Sequence, residues 1–144
     1  MKNLLISACL LGIPCRYDGK SVTGVDISRL REKYNLIPVC PEIYGGLETP
    51  RIPSEIVGDK VIMKSGKDVT ENYLRGAEAA LMLCKSFDCK LALLKERSPS
   101  CGTKEVYDGT FSKTLRRGMG VTAKLLAENG IAVFGEGDIE KLLS

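Results

Sequence analysis

Leu4-Leu5-Ile6-Ser7, followed at once by Ala8-Cys9-Leu10-Leu11-Gly12, is a short apolar run that gives way to a loop signal. The run has no polar alternation. It therefore suits a strand covered on both faces of a parallel sheet, since a strand with one wet face alternates apolar and polar positions. The same event recurs twice: Leu36-Ile37-Pro38-Val39 ends at Cys40, and Leu91-Ala92-Leu93-Leu94 leads into a Gly/Ser/Pro-rich stretch carrying Cys101. Thiols at the exits of several parallel strands converge on one sheet edge, so the pattern predicts a site built from sulfur.

Between these runs the spacing predicts helices. Asp26 is placed to cap a helix carrying Ile27, Leu30 and Tyr34 at i, i+3, i+7. Thr70-Glu71 opens the longest helical segment, to about Phe87, with Tyr73, Ala77, Leu81 and Cys84 along one face. A helix from Val121 ends at the left-handed cap signal Asn129-Gly130, before a strand Ile131 to Phe134 and a short helix around Ile139 to Leu143. Ile56-Val57, Gly58-Asp59 and Val61-Ile62-Met63 read as a small hairpin inserted beside the main sheet. Ser98 to Gly120 reads as a long loop forming a wall of the site. The order of elements predicts one α/β domain over residues 1–144, Rossmann-like and three-layered, with a mostly parallel sheet.

Composition narrows the chemistry. The 144 residues are 44% hydrophobic with a net charge of +3, enough for one ordinary core and too weakly basic to imply a nucleic-acid polymer. Arg116-Arg117 with Lys113 reads as a solvated turn. No apolar run is long enough for a bilayer and no signal-peptide layout is visible, so the expectation is a cytoplasmic protein without a membrane partner. In that compartment six cysteines point to metal or thiol chemistry rather than to a disulfide framework. Histidine is absent, which removes the usual general base, the Cys-His nucleophile pair and every imidazole-ligated zinc site.

Cys9, Cys40 and Cys101 lack the Cys-x-x-Cys knuckles of structural zinc and the compact runs of electron-transfer ferredoxins. Thiolates without imidazole suit iron-sulfur ligation or a Cys-rich zinc site. Cys84 and Cys89 read as buried packing. Cys15 reads as accessory or packing and not as an obligatory ligand, and Arg16 and Arg51 divide evenly between substrate contacts and structural ion pairs. Asp18 and Asp108 read as turn residues, and Lys95 as a charge paired with Glu96 or Glu42.

The words Ser7-Ala8-Cys9-Leu10-Leu11-Gly12, Cys15-Arg16-Tyr17-Asp18-Gly19, Cys40-Pro41-Glu42, Gly45-Gly46-Leu47, Thr49-Pro50-Arg51 and Ser98-Pro99-Ser100-Cys101-Gly102 resemble the small bacterial family that includes the thiouracil desulfidases. The resemblance runs from about Leu5 to Phe134. It implies a four-iron four-sulfur cluster held by Cys9, Cys40 and Cys101 with one open iron, loaded by cluster-assembly machinery. It further implies that Glu42 and Ser98 help water replace the sulfur of a small thio-substrate, such as a thionucleobase or thionucleoside, without net redox change. A carboxylate two residues from a ligand, and a hydroxyl three residues from another, are placed to handle protons there. The rival readings are a non-enzymatic carrier of iron-sulfur units or sulfide, and a structural zinc-binding domain.

Overall fold

The computed structural model describes residues 1–22 and 24–144. Strand β1 (Lys2–Ser7) passes through a 3-10 turn (Ala8–Leu11) and a loop to α1 (Ile27–Lys33) and β2 (Tyr34–Val39). A one-turn helix α2 (Pro41–Tyr44) and the hairpin β3 (Ser54–Val57) and β4 (Lys60–Met63) lead to the long helix α3 (Thr70–Ser86). Then come β5 (Leu91–Leu94), the hairpin β6 (Glu105–Tyr107) and β7 (Leu115–Arg117), α4 (Val121–Glu128), β8 (Ala132–Gly135) and α5 (Ile139–Leu143).

The main sheet has the order β2-β1-β5-β8, with every neighbouring pair parallel. Register runs from Lys2 opposite Tyr34 to Ser7 opposite Val39, and Leu4 sits opposite Leu91. The two-residue pleat period sorts the apolar runs onto two faces. Leu4, Ile6 and Leu93 pack with Leu30 of α1 and Leu142 of α5, while Leu5, Ala92 and Leu94 pack with Ala80 and Cys84 of α3 and Ala123 and Leu126 of α4. Three layers result, as the unalternating runs require. The chain leaves β1 toward β2 but leaves β5 toward β8, so the crevice between the exits of β1 and β5 is the switch point at which open α/β sheets bind ligands.

Three details differ from the sequence reading. Tyr34 begins β2 instead of closing α1, and its hydroxyl donates to the Leu142 carbonyl at 2.6 Å. The stretch from Ser98 to Gly120 holds a second hairpin, β6–β7, whose three-residue strands are too short to show alternation. Asp26 does sit at the N-cap of α1, but its carboxylate accepts from the Ser28 hydroxyl at 2.7 Å and caps no backbone N–H. Helix α3 begins at Thr70 as read, anchored by the Asp68 carboxylate, which accepts the Thr70 N–H at 2.9 Å.

Helix α2 exists because α3 lets it in. A side chain at Gly76 of α3 would run into the backbone carbonyl of Pro41, and one at Gly45 would run into the carbonyl of Asn72. Bare backbone at both places lets the helices touch, and Pro41 at the first helical position fixes the turn just after Cys40. At its other end α3 closes with Asp88 in the left-handed region (φ 51°) and the Cys89 N–H bonded to the Cys84 carbonyl at 2.9 Å. This is a Schellman closure, and its apolar contact is the buried Cys84–Cys89 pair, so both thiols are structural, as the helix periodicity indicated. Among the described residues no helix is long and apolar enough to cross a membrane.

Candidate active site

One cavity of about 560 Å³ opens at the carboxyl ends of β1, β2 and β5. Cys9, Cys15, Cys40, Cys101, Glu42, Ser98, Arg16 and Arg51 all line it, so the structure brings the candidate site residues named from the sequence to one place. Cys9 comes from the 3-10 turn after β1 and Cys40 from the first residue after β2. Cys101 comes from the loop after β5. That loop is bolted to α4: the N–H groups of Val121 and Thr122 donate to the carbonyls of Pro99 and Ser100 at 2.9 and 2.8 Å, and the Ser100 and Thr122 hydroxyls meet at 2.7 Å. The orphan donors of the helix start are thereby satisfied, and the thiol between them is held rigid.

All six cysteines are free. Cys15 is in side-chain hydrogen-bond contact with Cys9 and Cys40, and the Cys40 sulfur lies 3.8 Å from the Cys15 carbonyl oxygen. That thiol contact, and then burial, push the Cys40 thiol far above its ordinary range. Burial, with the nearby Glu42 carboxylate, pushes Cys101 up to about 12. For Cys15, contact with Cys40 draws the thiol down, while contact with Cys9 and burial outweigh it and leave it raised. Buried thiols crowded against one another resist ionisation, and a bound cation reverses that balance. Among the described residues no three Cys, Asp or Glu side chains are gathered tightly enough to grip a single metal ion.

Glu42 is the polar centre. Its Oε2 accepts from Arg51 Nε at 3.0 Å and from the Tyr73 hydroxyl at 2.9 Å. Ser98 Oγ lies 3.3 Å from Oε1 and already accepts the N–H groups of Ser100 and Cys101, each at 3.1 Å. With both lone pairs engaged, the hydroxyl directs its hydrogen at Glu42. One side of Oε1 then stays open to the cavity as a proton acceptor.

Arg51 settles as an ion-pair residue. Nε holds Glu42, Nη1 donates to the Glu48 carbonyl and the Thr49 hydroxyl at 3.0 and 3.1 Å, and Nη2 donates to the Cys15 carbonyl at 3.1 Å. Its side chain is 4% exposed, and four of its five N–H donors are already engaged within the protein. Arg16 pairs loosely with Asp18 at 3.6 Å and stays partly exposed. Asp18 and Asp108 are turn residues, accepting the N–H groups of Lys20 and Thr110. The ion pair of Lys95 is with the Glu136 carboxylate at 3.1 Å and not with that of Glu96 or Glu42, while its Nζ also donates to the Glu96 backbone carbonyl at 2.8 Å.

Two residues escaped the sequence reading. Tyr73 was legible as an apolar-face residue of α3, and the only cue to more was that a buried phenol needs a hydrogen-bond partner. Glu96 sits at the root of the Ser98–Cys101 loop. Its carboxylate accepts the N–H groups of Thr103, Lys104 and Glu105 at 2.8, 2.9 and 3.2 Å and the Thr103 hydroxyl at 2.6 Å. Burial pushes its carboxyl up, but these donors together hold it below the usual range.

A model of the 2-thiouracil desulfurase family matches residues 4–138. The chain belongs to the 2-thiouracil desulfurase family. Among curated relatives, the uncharacterized protein YbbK of Bacillus subtilis (strain 168) is 40% identical over 150 residues, spanning 97% of this chain and 99% of YbbK. Among solved structures, that of the 4Fe-4S-dependent thiouracil desulfidase TudS superposes with a TM-score of 0.95 at 44% identity, covering 99% of this chain and 95% of that one. The fold of this 2-thiouracil desulfurase family member is thus that of TudS.

Proposed function

We propose that the protein removes sulfur from a small thiocarbonyl compound, a thiouracil or a related thionucleobase or thionucleoside, releasing sulfide and the oxo product without net redox change. In outline C=S and water become C=O and hydrogen sulfide. A four-iron four-sulfur cluster held by Cys9, Cys40 and Cys101 and supplied by cluster-assembly machinery is the cofactor. Four thiols and no imidazole around one cavity form a donor set that fits such a sulfur-rich group. When bound, it supplies a Lewis-acidic iron with affinity for sulfur.

The observation that carries the reading is the Glu42 arrangement: a carboxylate with one open acceptor edge, fixed from behind by Arg51 and Tyr73, in the same wall as the cysteines. Glu42 Oε1 takes a proton from the attacking water. The Ser98 hydroxyl, fixed by the two backbone N–H groups, holds that edge in position and returns a proton toward the departing sulfur. A carrier of clusters or sulfide has no need of such a pair beside its ligands.

The experiment is anaerobic reconstitution of the wild type and Glu42→Gln, with iron, acid-labile sulfide and sulfide release from 2-thiouracil read from the same sample. Both proteins are expected to hold iron, while Glu42→Gln loses about 10²–10⁴ in turnover, the usual range for a general base. Wild type that holds iron yet releases no sulfide from 2-thiouracil or 4-thiouridine overturns the enzymatic reading in favour of a carrier.

A further inference from the structure

Cys15 is the cavity thiol that the proposed reaction leaves without a task. It is buried, it lines the wall beside Cys9, Cys40 and Glu42, and its side chain is in hydrogen-bond contact with the thiols of both Cys9 and Cys40. Burial and thiol contact alone do not make a site: the Cys84–Cys89 pair has both, and the helix closure accounts for it. Cys15 differs in two respects. Its neighbours are two of the proposed ligands, and it borders an open cavity. Its backbone is held on both sides, since the N–H donates to the Ile13 carbonyl at 2.8 Å and the carbonyl accepts from Arg51 Nη2 at 3.1 Å. A single χ1 rotation redirects the sulfur without moving that framework.

We propose that Cys15 is a fourth thiolate donor of this centre, filling in the substrate-free protein the coordination position left open by Cys9, Cys40 and Cys101, and yielding it to the sulfur of a thio-substrate. The inference rests on the desulfidase reading above. The exchange balances simply: one sulfur–metal bond breaks and another forms, the displaced Cys15 thiolate takes up a proton, and no electrons change hands. A soft thiolate in that position shields it from water and dioxygen, and it competes with substrate for the same place.

Wild type, Cys15→Ala and Cys15→Ser are reconstituted anaerobically and compared by iron content, by decay of the visible absorbance in air, and by KM for 2-thiouracil. Cys15→Ala is expected to hold as much iron as wild type, to lose absorbance in air several-fold faster and to show a lower KM, with Cys15→Ser between the two. Unchanged decay and KM overturn the proposal and leave Cys15 as packing. Loss of iron in both variants also overturns it, because Cys15 is then an obligate ligand. If wild type holds iron but releases no sulfide, the desulfidase reading fails by itself and the decay rates still decide the role of Cys15. Wild type that takes up no iron overturns both.

Discussion

Arg51 shows what a single side chain settles here. Three of its nitrogens reach four acceptors across a carboxylate, two carbonyls and a hydroxyl, tying the Cys15 loop and the Thr49 turn to Glu42. Removing one partner of a buried pair costs about 3–5 kcal/mol because the other charge is stranded. Arg51→Ala is therefore expected to lower unfolding stability by that order in a urea titration. Arg51→Lys restores only part of it, since an ammonium is a point donor and not a planar fork. Tyr73→Phe keeps the ring and removes the hydroxyl from Glu42 Oε2. Its expected effect is a 10–100-fold loss of turnover with unchanged iron content, the size of one hydrogen bond to a charged group at about 1.5–3 kcal/mol. Arg51 was visible in its motif, and the sequence left it divided between substrate and structure because spacing does not reveal where a long side chain ends. Tyr73 was hidden for a related reason: helical period reports the face of a residue, not what the tip of its side chain reaches.

Elements obey the same division. The four strands of the main sheet and the three larger helices were legible because burial on two faces leaves unbroken apolar runs and burial on one face leaves a 3.6 period. Helix α2 was not, since one turn is shorter than any period and its existence depends on bare backbone at Gly76, far along the chain. By helix propensity alone Gly76→Ala stabilises α3 by about 1 kcal/mol. The contact with the Pro41 carbonyl reverses the sign, so the variant is expected to melt lower than wild type and to load less iron, because Pro41 follows Cys40 directly. The loop rooted at Glu96 responds to acid. Its folded-state carboxyl lies below the ordinary range, so its stabilising contribution is complete above the unfolded value of about 4.3 and disappears as pH falls through the folded value. Glu96→Gln is expected to be less stable than wild type at neutral pH and to lose less on acidification, as followed by circular dichroism from pH about 7 downward.

At the scale of the molecule, the sheet order β2-β1-β5-β8 gathers Cys9, Cys40 and Cys101, with Cys15 beside them, at one edge and leaves the Cys84–Cys89 pair at the end of α3. Burial, with Cys89 beside it, pushes Cys84 up to about 12, and burial with Glu42 does the same for Cys101. Neither thiol is a nucleophile near neutral pH. Iodoacetamide on the native apoprotein is expected to leave Cys84 and Cys101 unmodified, with all six thiols reacting after unfolding, as read by peptide mass mapping. Labelling of Cys84 at the native rate of an exposed thiol would contradict the packed helix closure. Because Cys9, Cys40 and Cys101 hang from the exits of three different strands, the proposed ligand set comes together only once the sheet has formed. On the proposed ligation, metal binds the folded chain and stabilises it by that preference. Iron per chain after reconstitution is then expected to be a census of the molecules whose winding is complete.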